Sequence, residues 1–208
     1  MAYSNEDLAF MASIIKRYPR SRSAVMPLLH FVQSRVGFVD GEGIELIAKL
    51  LSLECAEVSA VATFYTQYKR KPVGEYHVGV CTNTLCAVMG GDAIFAGLKE
   101  HLGIENDGVT DDGKVSLEHI ECNAACDYAP VVMANWEFYD NQSVQSSKDL
   151  VDSMRGENPI PPTRGPNTLV TWRQASAVLA GFNDGKAHEG VQAGEPSLLG
   201  LKISKEGK

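Results

Sequence analysis

Four of the chain's five cysteines fall in two short pairs, and no other feature restricts the fold as tightly. The first pair lies in GVCTNTLCAVMGG, Cys81 and Cys86 with four residues between them. The second lies in ECNAACDYAP, Cys122 and Cys126 with three between them. Each pair directly follows a stretch that reads as a strand: residues 75–80 (EYHVGV), where Tyr76, Val78 and Val80 fall on one side, and residues 115–121. Side chains alternate between the two faces of a strand. If both strands run the same way in one small sheet, both pairs emerge at the same edge and four thiols converge near the surface.

The rest of the chain falls into three parts. Residues 1–72 carry apolar residues at helical spacing and predict a small helical bundle. Ser4 or Asn5 caps a first helix running to about Arg17, and a second starts near Ser23, with Pro27 in its first turn and Gly37 at its end. Asp40 caps a third, and residues 54–65 form a fourth. The run KRKPVG (69–74) then breaks the pattern. Residues 73–156 predict a strand, a helix over about 90–102, a polar loop (105–114), strands at 115–121 and 131–135, a hairpin partner at 137–139, and a helix capped by Ser146 or Ser147. That order matches a thioredoxin-like layout, a small sheet with helices packed on it. Residues 157–208 read as an extended tail: four prolines in GENPIPPTRGPN, then an apolar group (Leu169, Val170, Trp172, Val178, Leu179, Phe182) that must cover something, then a polar, Gly-rich end.

The net charge of −7 argues against nucleic acid or an anionic membrane surface as the main partner. Neither a signal-peptide pattern nor a spanning apolar run is present, so the expected location is the cytoplasm. Disulfides are not expected there. Four converging thiolates suit an iron–sulfur cluster or a zinc ion. Structural zinc favours tight C-x2-C knuckles, whereas gaps of four and three residues suit a two-iron cluster in which each iron takes two cysteines. None of the five histidines lies within either loop. A thiol–disulfide role calls for C-x-x-C, which is absent. The plain alternative, cysteine as a small buried apolar residue, suits Cys55, beside Leu53, Val58 and Val61. His30, His77 and His119 read as packing or surface residues, and Trp136 and Tyr139 as hairpin packing.

KPVGEYHVGVCTNTLC, ECNAACDYAPVVMAN and the upstream VATFYTQY resemble the thioredoxin-like [2Fe–2S] subunit of complex I, the NADH:quinone oxidoreductase, of the E or 24-kDa type. The resemblance covers about 18–155. It implies that Cys81, Cys86, Cys122 and Cys126 bind one [2Fe–2S] cluster. FMN and NADH would lie on a partner flavoprotein subunit, with the large iron–sulfur subunit of the peripheral arm as a second neighbour. Related subunits serve NAD-linked formate dehydrogenases and NAD-reducing hydrogenases. A zinc-bound adaptor is the reading from another class. The family more often has Leu-Gly where this chain has Asn123-Ala124, which puts the hydrogen bonding to the sulfurs in question. No G-x-G-x-x-G or P-loop occurs; Gly41 and Gly43 lack the third glycine and the preceding strand, and read as a loop. Glu121 and Asp127 flank the second pair, and no Lys or Arg lies in either loop. The expected reduction potential is therefore low, on the order of −400 mV.

Overall fold

The computed structural model describes residues 3–156, 158–186 and 188–207. Residues 1, 2, 157, 187 and 208, which the expected segments include, lie outside the described residues. The chain forms two compact units. One comprises Met1–Val73 with Trp172–Asp184, and the other comprises Gly74–Thr171 with Gly185–Lys208.

The first unit is helical: α1 (Asn5–Ile15), α2 (Val25–Val36), α3 (Gly41–Leu51) and α4 (Cys55–Phe64). Ser4 and Asp7 form a reciprocal cap on α1, and Asp40 caps α3 by accepting from the Gly43 N–H at 2.8 Å. Gly41 and Gly43 thus begin a helix rather than a loop. Cys55 is exposed, contrary to its expected burial, because it opens α4 ahead of the turn that buries Val58 and Ala62. The core is built on Met11, Ile14, Leu28, Leu29, Phe31, Val32, Ile47 and Val58.

Part of the expected tail completes this core. Helix α8 (Trp172–Ala180) packs on α2. The Trp172 indole, 1% exposed, donates to the Gly37 carbonyl at 2.7 Å, and Gln33 Nε2 donates to Ser176 Oγ at 3.2 Å. Phe182 stacks on Phe10 with ring centroids 3.8 Å apart. Val178 and Leu179, by contrast, are exposed.

The second unit is a five-stranded sheet in the order β2-β3-β1-β4-β5, built from β1 (Tyr76–Cys81), β2 (Gly108–Val109), β3 (Val115–Ile120), β4 (Val132–Ala134) and β5 (Glu137–Tyr139). Strands β1 and β3 are parallel, and the other pairs are antiparallel. Between β1 and β2 lie a short helix α5 (Thr84–Val88) and α6 (Gly91–Leu102). Helix α7 (Val144–Arg155) follows β5. Strand β2 falls in the expected polar loop: two residues are too few to show alternation, and it exists only because β3 offers its edge. The cap of α7 is Ser143, whose hydroxyl accepts from the Ser146 N–H at 3.1 Å; Ser147, expected as a cap, is buried within the helix.

One face of the sheet (Tyr76, Val78, Val80, Leu117, Val132) buries Ile94 and Leu98 of α6 and Leu150, Val151 and Met154 of α7. The other face carries Ile120, Val131, Met133 and the first cysteine pair. His77 is buried there, its Nε2 2.9 Å from Glu118 Oε2 and its Nδ1 3.0 Å from Ser116 Oγ, while His119 is exposed. Tyr139 is buried and donates to the Ile160 carbonyl at 2.6 Å. A last helix, α9 (Glu195–Glu206), belongs to this unit. Among the described residues, no helix is long and apolar enough to cross a membrane.

His30 gives the helical unit a pH signature. It is 5% exposed, its ring centroid lies 4.7 Å from that of Tyr68, and its Nδ1 has no hydrogen-bond partner among the described residues. Burial pushes its pKa from 6.5 down to about 4. Between those values the unfolded chain binds a proton that the folded chain refuses, so stability falls as pH drops through that window. The expected loss is as much as about 3 kcal/mol from pH 6.5 to 4. Urea unfolding followed by Trp172 fluorescence, in a Trp136→Phe background, measures it; His30→Leu removes this part of the acid dependence.

Candidate metal centre

The parallel register Cys81 opposite Ile120 brings the ends of β1 and β3 to the same edge of the sheet. Cys81 is the last residue of β1, and Cys122 lies just beyond β3, with only Glu121 between. Cys86 lies in α5, and Cys126 opens a short 3-10 turn, Cys126–Tyr128. All four cysteines line one small recess, together with Asn123, Ala125 and Val131. All four are free thiols, and Cys122 Sγ and Cys126 Sγ lie 3.7 Å apart, far beyond disulfide bonding distance.

The two pairs differ in environment. Cys81 and Cys86 are each 3% exposed, whereas Cys122 and Cys126 are exposed. Burial pushes the Cys86 thiol up to about 11, with the neighbouring Cys81 adding to the rise and a hydrogen bond from the Val131 backbone opposing it. Cys126 is also raised, first by its hydrogen bond with Cys122 and also by the nearby Asp127 carboxylate. Thiols in this state are protonated at neutral pH, and ligation of a metal would release their protons.

Backbone geometry builds the inner half of the recess. The Cys81 N–H donates to the Val131 carbonyl at 3.1 Å, and the Val131 N–H donates to the Cys86 sulfur. Asn83 Nδ2 donates to the Ile120 carbonyl at 3.2 Å, tying the first cysteine loop to the end of β3. The first turn of α6 presses on the same loop. A Cβ on Gly91 would stand 2.5 Å from the Cys81 carbonyl oxygen and 2.9 Å from that of Cys86, so only glycine fits there. In the sequence, Gly90-Gly91 signals no more than a helix start.

The outer loop carries the Asn123-Ala124 departure. Ala124 adopts φ 55°, the left-handed conformation that favours glycine. Its N–H still donates to Cys122 Sγ at 3.3 Å. The substitution therefore keeps a donor on the sulfur and costs backbone strain instead.

The donor set fits an iron–sulfur cluster. The four sulfurs sit as two pairs around a common recess with backbone N–H groups directed at them. Among the described residues, no three His, Cys, Asp or Glu side chains are grouped as ligands of a single metal ion.

The model of the thioredoxin-like [2Fe-2S] ferredoxin family matches residues 11–155. The chain belongs to this family. Proteins named as the E subunit of NADH-quinone oxidoreductase from Mycobacterium tuberculosis and Mycobacterium bovis are each 58% identical over 194 residues, which is 93% of this chain and 77% of theirs. The Rickettsia bellii protein of the same name is 38% identical over 159 residues, 75% of this chain and 95% of its own. The mycobacterial match is too long to stop at the family's limit, and takes in much of the segment after α7. Among solved structures, an air-oxidised NAD+-reducing [NiFe]-hydrogenase is similar with a TM-score of 0.58 at 20% identity, over 69% of this chain. At that identity the likeness is one of fold, and this chain covers only 25% of the hydrogenase chain.

For this ferredoxin domain, Ala124→Gly relieves the left-handed strain while keeping the N–H to Cys122. Urea or thermal unfolding is expected to show a gain of up to about 1 kcal/mol. Ala124→Val, β-branched at positive φ, is expected to lose more than that.

Proposed function

We propose that this chain is the electron-transfer subunit of the NADH-oxidising module of NADH:quinone oxidoreductase, with Cys81, Cys86, Cys122 and Cys126 holding one [2Fe–2S] cluster. FMN and NADH are bound by the partner flavoprotein subunit, and the large iron–sulfur subunit is a second neighbour. The module lies in the peripheral arm of the complex, on the cytoplasmic side. The observation that carries this is the convergence of two cysteine pairs at the ends of two parallel strands. The 58% identity to proteins named as the E subunit of NADH-quinone oxidoreductase supports the choice of complex.

When bound, such a cluster takes up and gives back one electron at a time. The chain's own residues set the conditions. Cys81 and Cys86 hold the inner side from β1 and α5, away from water, and Cys122 and Cys126 hold the outer side. The Val131 and Ala124 N–H groups favour added negative charge. The Asp127 carboxylate beside Cys126 opposes it. Arg164, the cation packed on Tyr128, is paired with Asp140, Nε to Oδ2 at 3.0 Å, so it brings little net charge.

Beside the recess, α5 and the residue after it expose Leu85, Val88 and Met89, at 42%, 81% and 53%. Apolar surface next to the ligands suits a docked partner that excludes water from the path between redox centres. The exposed Leu198, Leu199, Leu201 and Ile203 of α9 are a second such surface, in keeping with a docking role for the 157–208 segment.

An EPR-monitored redox titration of the anaerobic chain tests this proposal. The expected midpoint is on the order of −400 mV, with a spin-half signal on reduction that each of Cys81→Ser, Cys86→Ser, Cys122→Ser and Cys126→Ser alters or abolishes. A midpoint above about −150 mV, in the Rieske range, or a signal indifferent to all four substitutions, contradicts it.

A further inference from the structure

The two halves of the recess are supported unequally. Cys81 and Cys86 are fixed by a central strand, by α5 and by the tight approach of α6 at Gly91. Cys126 sits at the start of a three-residue 3-10 turn, Cys126–Tyr128. A turn this short has almost no stability of its own, so something must fix it from outside.

Part of that support is the Asn141 N–H, which donates to the Tyr128 carbonyl at 2.8 Å; the rest comes from beyond residue 155, where the family match ends. Two stretches of the late chain converge on Tyr128. In the first, the Arg164 guanidinium lies over the Tyr128 ring at 4.8 Å and the Phe138 ring at 3.9 Å. Asp140 holds it there through two contacts of 3.0 and 3.2 Å, and the Thr163 N–H donates to the Phe138 carbonyl at 2.9 Å. In the second, Gly194 lies flat against the Tyr128 ring: a Cβ there would stand 2.5 Å from Oη and 3.1 Å from Cε1. Ser197, in the first turn of α9, lies 3.3 Å from Tyr128 Oη and donates to Asp127 Oδ2 at 2.8 Å. Its single hydroxyl proton goes to Asp127, so Tyr128 is the donor in the other contact. The two stretches are tied to each other by the Gly165 N–H donating to the Val191 carbonyl at 2.9 Å and the Asn167 N–H donating to Glu189 Oε2 at 3.1 Å.

We infer that the segment after α7 is a clamp on the outer cysteine loop. Arg164, Gly194 and Ser197 are its positioning residues, and its effect is to hold Cys126 in place and slow loss of the metal centre. None of the three touches a cysteine sulfur; they act through Asp127 and Tyr128. The slowed metal loss rests on the cluster proposed above, whereas the hold on Cys126 does not, and the test separates the two.

The test uses the full chain carrying Ser197→Ala, Ser197→Thr or Gly194→Val, with Lys202→Ala as a surface control. Iron release to a ferrous chelator is timed under anaerobic conditions, and EPR spectra are recorded after dithionite reduction. Loss of the Ser197 link is expected to speed release about threefold or more, the scale of one hydrogen bond, and to broaden the EPR lines. Gly194→Val is expected to do the same, Ser197→Thr to restore the original rate, and Lys202→Ala to change nothing. Equal release rates and identical spectra for Ser197→Ala and the unmodified chain overturn the clamp. Should Gly194→Val fail to fold, Ser197→Ala and its threonine rescue decide. An unmodified chain without iron refutes the cluster and not the clamp. In that case iodoacetamide labelling of the metal-free chain decides: faster labelling of Cys126, with Cys81 and Cys86 unchanged, is expected in Ser197→Ala, and equal labelling overturns the clamp.

Discussion

The parallel pairing of β1 with β3, Cys81 opposite Ile120, governs everything at the recess. Parallel strands end at the same edge of a sheet, so loops that follow them meet. A shift of one residue would turn each side chain to the other face. It would move Val78 and Val80 out of the core against α6 and α7, and Cys81 away from the other thiols. The apolar core on one face of the sheet therefore fixes the position of the sulfurs on the other. The longer helix between β1 and β2 adds the second constraint, since α6 reaches the cysteine loop closely enough that only Gly91 fits.

The recess is asymmetric in a way that suits an electron carrier. Its inner pair is buried and its outer pair exposed. Burial keeps water from the inner thiols, while exposure of the outer pair lets a second protein approach closely. Exposure also leaves that side open to exchange and attack, and the late segment answers this by holding Asp127 and Tyr128 in place. The same segment serves the other unit too, through the buried Trp172 of α8.

The convergence of the four cysteines and the sheet were legible in the sequence because each signal was strong and local: alternating apolar residues, and thiols placed directly after them. Helices α1 to α4 announced themselves by caps and spacing. Strand β2 could not be seen, because Gly108 and Val109 become a strand only by borrowing the edge of β3. The cap of α7 was ambiguous in a run with three serines, and the hydroxyl that accepts from a free N–H of the first turn, that of Ser146, is Ser143. Trp172 and Phe182 showed that something would be covered, but which unit they join depends on long-range contacts that no local pattern carries. Helix α9 buries none of its residues, so nothing in its sequence marks a face. The left-handed Ala124 was hidden for a different reason: alanine rarely takes that conformation, and only the departure from a family glycine pointed to it.

The central claim is that four cysteines from two strand ends hold a two-iron centre. Iron, acid-labile sulfide and zinc, counted per chain in anaerobically purified protein, test it most directly. About two irons and two sulfides per chain, with no zinc, is the predicted result. One zinc per chain, without sulfide, would contradict the account and leave a structural metal site in place of a redox centre.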